Sequence, residues 1–402
     1  MATDLPQELI DKILDESVVQ REDMLLPDYP SLRALSLTSR RFTPSCQARL
    51  FKDINLIRKS CKQFKDLLLE SPHLGSYVSS LRMYYHSVSP VVVDVLLHLP
   101  NLYTLNVDRT CLVSIAEYMD TSLQSVRVFS LIGAQLPNVS TLPTAISLLP
   151  SVETLELKGI GLENANPIPF MLPKDRRIPS PRTILLSVTD ARTLSELLCN
   201  LTGPNPGARL DKVRTLQIRI SRRASVQDRW DIERLLVLTR PALEHLTLVI
   251  PERSFPPPMD FSQHSKLRTL CLRMPLNAFA APSELQTDTL PDSLATLPQT
   301  TVLVLLSLTQ HTGDTPVRDN SQWLALNNVF SQRKRTYLHI ILETEAATFT
   351  VEIVMAERLA LISIIQCVVT VREEGRLLVS APSLGNGTLT ETSPFCAILS
   401  DH

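Results

Sequence analysis

Apolar residues recur along this chain in one phrase, apolar-x-x-Leu-x-apolar. Copies stand at Val78/Leu81/Met83, Leu102/Leu105/Val107, Leu123/Val126/Val128, Val152/Leu155/Leu157, Val213/Leu216/Ile218, Leu243/Leu246/Leu248 and Leu267/Leu270/Leu272. Alternation within each copy predicts a short strand with one face inward. A weaker copy surrounds Leu303 and Leu305, and Ile184 with Leu186 marks a degenerate one. Between the phrases, 61–70, 91–99, 112–118, 194–201 and 231–238 show helical spacing.

The strand centres read as Leu81, Leu105, Val126, Leu155, Leu216, Leu246, Leu270 and Leu303. They lie mostly twenty to thirty residues apart, with Leu185 dividing the one long gap. That is the period of leucine-rich repeats. A single strand-turn-helix unit cannot cover its own apolar face, so the units must stack. The Asn that follows the strand in regular repeats is missing, which predicts an irregular arc. Proline-rich stretches at 164–181 and 251–258 read as surface excursions. After Asp314 the phrase fades. Trp323 to Phe330 reads as a helix, Thr336 to Glu343 and Thr348 to Met355 as paired strands, Glu357 to Ile365 as a helix and Cys367 to Arg372 as a strand. The expected division is 1–56 for an N-terminal module, 57–313 for repeats, 314–380 for a C-terminal repeat or cap region, and 381–402 for a frayed tail.

The first 56 residues follow a different pattern. Asp4 is placed to cap a helix with Gln7 as its reciprocal partner, and Pro6 falls in the first turn. Leu9, Ile10, Ile13 and Leu14 make one apolar stripe opposite Glu8, Asp11, Lys12, Asp15 and Glu16. Gln20 to Pro30 is polar, acidic and Pro-punctuated, and reads as a loop. Ser31 opens a second helix with Leu32, Leu35 and Leu37. A third follows Phe42, carries Cys46, Leu50 and Phe51, and leads into a strand ending at Leu56. About fifty residues bury little apolar surface alone. Such a module completes its core against a partner or against the rest of its own chain.

In their order, Leu5-Pro6, Glu8-Leu9, Ile13-Leu14, Leu32, Leu35, Ser36 to Arg40, Phe42 and Leu50 to Ile54 resemble an F-box in the form common among fungal F-box proteins. The segment from Val18 to Pro30 is longer than usual, and Phe42 stands where Trp is frequent. Followed by leucine-rich-like repeats, the module resembles the substrate receptors of SCF-type ubiquitin ligases. The resemblance implies an α/β chain in which a three-helix F-box precedes an irregular solenoid of parallel strands and outer helices, closed by a C-terminal cap. It implies docking on the Skp adaptor, and through it on the cullin complex, by a strip of Leu5, Pro6, Leu9, Ile13, Leu32, Leu35, Leu37 and Phe42. The repeats would hold an unidentified target protein. Because side chains alternate between strand faces, target contacts are expected at Arg82, Tyr84, Asn106, Asp108, Arg127, Phe129, Glu156, Lys158, Gln217, Arg219, Thr247 and Arg273. The alternative is a repeat scaffold outside any ubiquitin ligase, with the helices capping the first repeat.

Composition narrows the chemistry. The formal net charge of -1 over 402 residues implies neither nucleic acid nor an anionic membrane as partner. Few Gly (10) against many Pro (29) argue against a phosphate-cradling loop. The seven Cys form no CxxC pair and fit a reducing compartment, cytoplasmic or nuclear, with Cys111, Cys199, Cys271 and Cys367 read as buried apolar thiols. The start has no signal-peptide pattern, and the longest apolar run, 359–371, is too short to span a bilayer. No HExxH, GxSxG, P-loop or GxGxxG pattern occurs, so neither catalysis nor a metal or cofactor is expected. Basic clusters at 174–177, 219–229 and 333–335 read as solvated loop faces, and Arg222-Arg223-Ala224-Ser225 suits a basophilic kinase.

Overall fold

The computed structural model describes residues 6–16, 18–21, 24–57, 60–84, 87–133, 135–136, 141–162, 178–188, 208–219, 226–249, 259–275, 289–310, 321–344 and 368–380. The fold class is α/β, with strands that pair in parallel and helices between many of them. The chain forms two units, Met1–Pro181 with Cys199–Arg209 and Arg182–Leu198 with Leu210–His402.

The first unit starts with helices α1 (Gln7–Glu16), α2 (Tyr29–Thr38) and α3 (Phe42–Lys52). Where Gln20 to Pro30 reads as a loop, β1 (Val18–Arg21) pairs antiparallel with β2 (Met24–Pro27). The apolar run Met24 to Leu26 supports a strand, and Pro27 ends it, where a missing N–H costs little. Helix α3 passes without a break into β3 (Asp53–Ile57). Strand β3 pairs in parallel with β4 (Ser80–Tyr84), followed by β5 (Thr104–Val107), β6 (Val128–Ile132) and β8 (Thr154–Leu162). The short β7 (Gln135–Leu136) pairs with the far end of β8. Helices α4 (Ser60–Glu70), α5 (Val91–Leu97), α6 (Arg109–Tyr118) and α7 (Thr141–Ser147) lie between these strands in sequence.

In the second unit β9 (Thr183–Val188), β10 (Thr215–Arg219), β11 (His245–Val249), β12 (Thr269–Pro275), β13 (Leu303–Gln310), β14 (Tyr337–Thr344) and β15 (Leu377–Ser380) pair in parallel, each with the next. Its described helices are α8 (Val226–Thr239), α9 (Thr289–Ala295), α10 (Ser321–Ser331) and α11 (Val369–Glu373). Strand β14 thus carries the parallel pattern beyond Asp314. The expected strand at Cys367 to Arg372 is instead the short helix α11, because Val368 and Val371, three apart, are buried together on one helical face. Packing overrides the strand preference of a β-branched run. The expected elements at 194–201, 348–355 and 357–365, and the tail 381–402, lie outside the described residues.

Pairing fixes the registers. In the first unit Leu81, Leu105, Phe129 and Leu155 stand in one fully buried row. The third centre is therefore Phe129 rather than Val126. In the second unit Ile184, Leu216, Leu246, Leu270, Val304 and Leu338 form the row. Ile184 replaces Leu185 as a centre, and Val304 replaces Leu303. A backbone signature accompanies the register. The carbonyl just before seven of the strands accepts two N–H bonds from the same position of the next repeat, at 2.8 to 3.1 Å. Ser79, Tyr103 and Arg127 do this in the first unit, and Arg182, Arg214, Glu244 and Arg268 in the second. These bonds satisfy carbonyls that would otherwise be left at a crowded bend.

Candidate functional site

The helical module has its own small core of Ile10, Leu14, Leu32 and Cys46, with Leu35, Phe42 and Leu50 packed against it. Helix α1 joins α3 through a polar edge. Arg49 binds Asp15 at 2.7 Å and Asp11 at 3.2 Å, and also donates to the Asp11 carbonyl. Burial works against the Arg49 charge, but hydrogen bonds and attraction from Asp15 and Asp11 outweigh it and raise its pKa. The Gln7 amide donates to Ser45 at 2.7 Å and to Asp11. That bond, with Arg49, holds the Asp11 carboxyl below its ordinary range. The sequence gives Gln7 a capping role and sets Asp11 and Asp15 on a polar face, but their bonds to Ser45 and Arg49 join positions more than thirty residues apart.

The stripe read as one face of α1 splits in two. Ile10 and Leu14 point into the core, while Leu9 and Ile13, four apart, remain 48% and 41% exposed. Of the strip assigned to the adaptor, Pro6, Leu9, Ile13 and Leu37 are exposed, Leu37 at 87%. Leu32 is a correction: it is fully buried inside the bundle. Leu35 and Phe42 pack against that core and remain half-buried. Leu5 lies outside the described residues. Helix α3 packs on the 3-10 turn Pro72–Tyr77 of the first repeat, and Ser79 N–H donates to the Lys52 carbonyl at 3.0 Å.

The strand face of the first unit carries Asn55, Arg82, Asn106, Ser130 and Glu156 in one column across the sheet. Next to it stand Ile57 and Tyr84, then Ile132 and Lys158. Ser130 donates to Glu156 at 2.8 Å, and Lys158 pairs with the same carboxylate. Burial pushes Glu156 up, but the bonds from Lys158 and Ser130 and the Lys158 charge outweigh it and leave its pKa lowered. Arg82, Tyr84, Asn106, Glu156 and Lys158 therefore lie on the face assigned to them. Phe129 does not: it is core, and half-buried Val128 and fully buried Ser130 stand on the opposite strand face. Arg127 precedes the strand, donates to the Ser151 carbonyl at 3.2 Å and lies 3.7 Å from Glu153. Asp108 caps α6, accepting from Cys111 N–H at 2.9 Å. Both lie just outside the strands, Arg127 before β6 and Asp108 after β5.

In the second unit two columns run side by side. The first is Leu185, Gln217, Thr247, Cys271, Leu305, His339 and Leu378. The second is Ser187, Arg219, Val249, Arg273, Ser307, Ile341 and Ser380. Gln217, Arg219, Thr247 and Arg273 all fall here as expected. Cys271, read as a buried thiol, is instead half-buried on this face, whereas Cys111 is in the core. Cys199 and Cys367 lie outside the described residues.

Polar groups of the second unit also work behind the sheet. The His264 ring meets the Leu236 carbonyl near the end of α8, at 3.1 Å. Arg333 donates to the Ala295 carbonyl, the last residue of α9, at 2.7 Å. Arg376 donates to the carbonyls of Phe330, Arg333 and Thr336 at 2.7 to 3.0 Å. Arg333, from a cluster read as a solvated face, is thus a buried clamp, while Lys334 and Arg335 are exposed. Among the described residues no three His, Cys, Asp or Glu side chains are grouped to hold a metal ion, and no helix is long and apolar enough to cross a membrane. The cluster at 174–177, the stretch 220–225 and Ser225 lie outside the described residues. Neither the protein-family models nor the curated proteins compared with this sequence match it.

Proposed function

We propose that this chain is an F-box substrate receptor of an SCF-type ubiquitin ligase. The N-terminal helices dock on the Skp adaptor, and the strand faces hold a target protein. The cullin complex supplies the catalysis, and this chain contributes proximity. One observation carries the reading. The helical bundle closes a core of its own yet leaves Leu9, Ile13 and Leu37 exposed, and its third helix continues directly into the first repeat strand. A cap that only shielded the first repeat would have no use for aliphatic side chains on the outer side of α1. Fully burying each aliphatic side chain contributes about 1.5–3 kcal/mol, before association costs.

The test is co-purification of the full chain with the Skp adaptor, comparing the wild type with Leu9→Asp/Ile13→Asp. Both positions are exposed, so the bundle and repeats should keep their melting temperature. Loss of the adaptor with an unchanged melting temperature supports the reading. Equal recovery of the adaptor by both proteins overturns it, and favours a scaffold acting outside a ligase.

A further inference from the structure

Helix α1 carries two apolar pairs of the same composition. Leu9 with Ile13 and Ile10 with Leu14 each join one leucine to one isoleucine, four residues apart. The second pair is the first moved on by one residue, about 100° round the helix. Ile10 and Leu14 fill the bundle core at 2% exposure each, while Leu9 and Ile13 face outward. Apolar burial scales with area, so it does not tell one such pair from the other. A roll of α1 by about 100° would seat Leu9 and Ile13 in the core and turn Ile10 and Leu14 away from it. The connection to α2 does not forbid the roll, because the β1–β2 hairpin stands between the two helices.

A polar contact breaks the tie. Asp11 and Asp15 follow Ile10 and Leu14 by one residue, about 100° further round in the same direction. There Arg49 of α3 reaches both carboxylates. Its Nη2 donates to Asp15 at 2.7 Å, its Nε to the same oxygen at 3.2 Å, and its Nη1 to Asp11 at 3.2 Å. Gln7 adds a bond to Ser45, one turn earlier on α3. In the rolled setting Ile10 and Leu14 would take the places of the two carboxylates. The Arg49 side chain, only 24% exposed, would keep aliphatic neighbours and lose its charge partners. That loss outweighs any difference between two pairs of equal composition. We propose that Arg49 is the positioning residue of this module: by holding Asp11 and Asp15 it selects Leu9 and Ile13 as the outward pair of α1. The adaptor then meets a helix already set in its docking orientation. That last step rests on the reading of the module as an F-box, whereas the selection itself does not.

Hydroxyl-radical footprinting of the full chain, read residue by residue by mass spectrometry, reports the outward pair with no partner present. Wild type should oxidise at Leu9 and Ile13. Arg49→Leu, which suits aliphatic neighbours, should move oxidation to Ile10 and Leu14. Asp11→Ala/Asp15→Ala removes the same fork from the solvent side, at side chains 43% and 70% exposed, and should move the footprint even if Arg49→Leu fails to fold. The second arm is the dissociation constant for the purified Skp adaptor. Arg49→Leu should weaken it roughly tenfold, since the competent setting becomes a minor one. Leu9→Ala should weaken wild type but cost clearly less in the Arg49→Leu chain, because it also destabilises the rolled setting that buries Leu9. A role confined to stability would leave the two substitutions additive. An unchanged footprint in both fork variants overturns the proposal, and so does strict additivity of Leu9→Ala with Arg49→Leu. A moved footprint with no adaptor binding by wild type upholds the selection and removes the F-box reading.

Discussion

The two units spend their polar side chains in different places. In the first, hydroxyl, carboxylate and ammonium groups of Ser130, Glu156 and Lys158 meet one another on the strand face. Behind the sheet its repeats meet through the Lys65–Asp94 ion pair at 2.6 Å and by close backbone approach. There Gly75 lies so near α5 that an added Cβ would stand 2.1 Å from the His98 carbonyl. In the second unit, buried His264, Arg333 and Arg376 hold the ends of helices. Its strand face mixes Arg219 and Arg273 with Gln217, Thr247, His339 and aliphatic side chains. The lesson concerns stacked repeats in general. Polar groups consumed between repeats stabilise the stack, and those on the strand faces are the ones open to a partner.

Breaking the clamp should have the largest effect. Arg376→Ala removes donors from the carbonyls of Phe330, Arg333 and Thr336, all beside a buried guanidinium. We expect a loss of about 3–5 kcal/mol in urea unfolding. A loss near zero would mean that the clamp is not what holds the last repeats together.

Overfilling the close approach in the first unit comes next. Gly75→Ala forces a methyl group against the His98 carbonyl, which is backbone and yields little. The expected cost is about 1–3 kcal/mol in the same measurement. A silent Gly75→Ala would remove the contrast between the two ways of locking repeats.

The smallest effect is one of pH. Burial lowers the pKa of His264, partly offset by its backbone bonds, and burial lowers that of His339. A histidine with a depressed folded pKa favours the neutral form. The stability it supports is complete above the unfolded value near 6.5, and is lost as pH falls from there toward the folded pKa. Each group contributes a slope of at most about 1.4 kcal/mol per pH unit. Urea midpoints should fall between pH 7.5 and 5.5, and His264→Gln should flatten that fall. An identical slope in the variant would show that the ring does not titrate with folding.

Much of the parallel strand pattern was legible because paired strands repeat their inward residues. The errors were local and share a physical origin. Around Val126, both Leu123/Val126/Val128 and Val126/Phe129/Leu131 satisfy the apolar phrase, so spacing alone permits two registers three residues apart. Pairing of Leu105 with Phe129 decides between them. From Leu303 to Leu306 every residue is apolar, so no alternation marks the inward face until Leu270 pairs with Val304. A slip of one residue exchanges the two faces of a strand. In the helical module, four apolar residues of α1 were legible, but not their division. Only the positions of Leu32 and Cys46 show that Ile10 and Leu14 are inside and Leu9 and Ile13 outside. The arginine clamps were hidden for another reason. Arg333 serves distant backbone carbonyls, which no residue type betrays, and the local pairing of Arg376 with Glu374 does not point to the carbonyls it also serves.

The junction at Lys52 and Asp53, where α3 becomes β3 with no residue between, has a mechanical consequence. No linker there can absorb torque. A helix turns by about 100° per residue and a strand reverses its face with each one. Inserting a single residue would therefore rotate the bundle out of phase, or turn β3 inside out. The bearing of Leu9 and Ile13 relative to the first sheet is thus geared to one setting, and whatever grips that helix also sets the heading of the first strands.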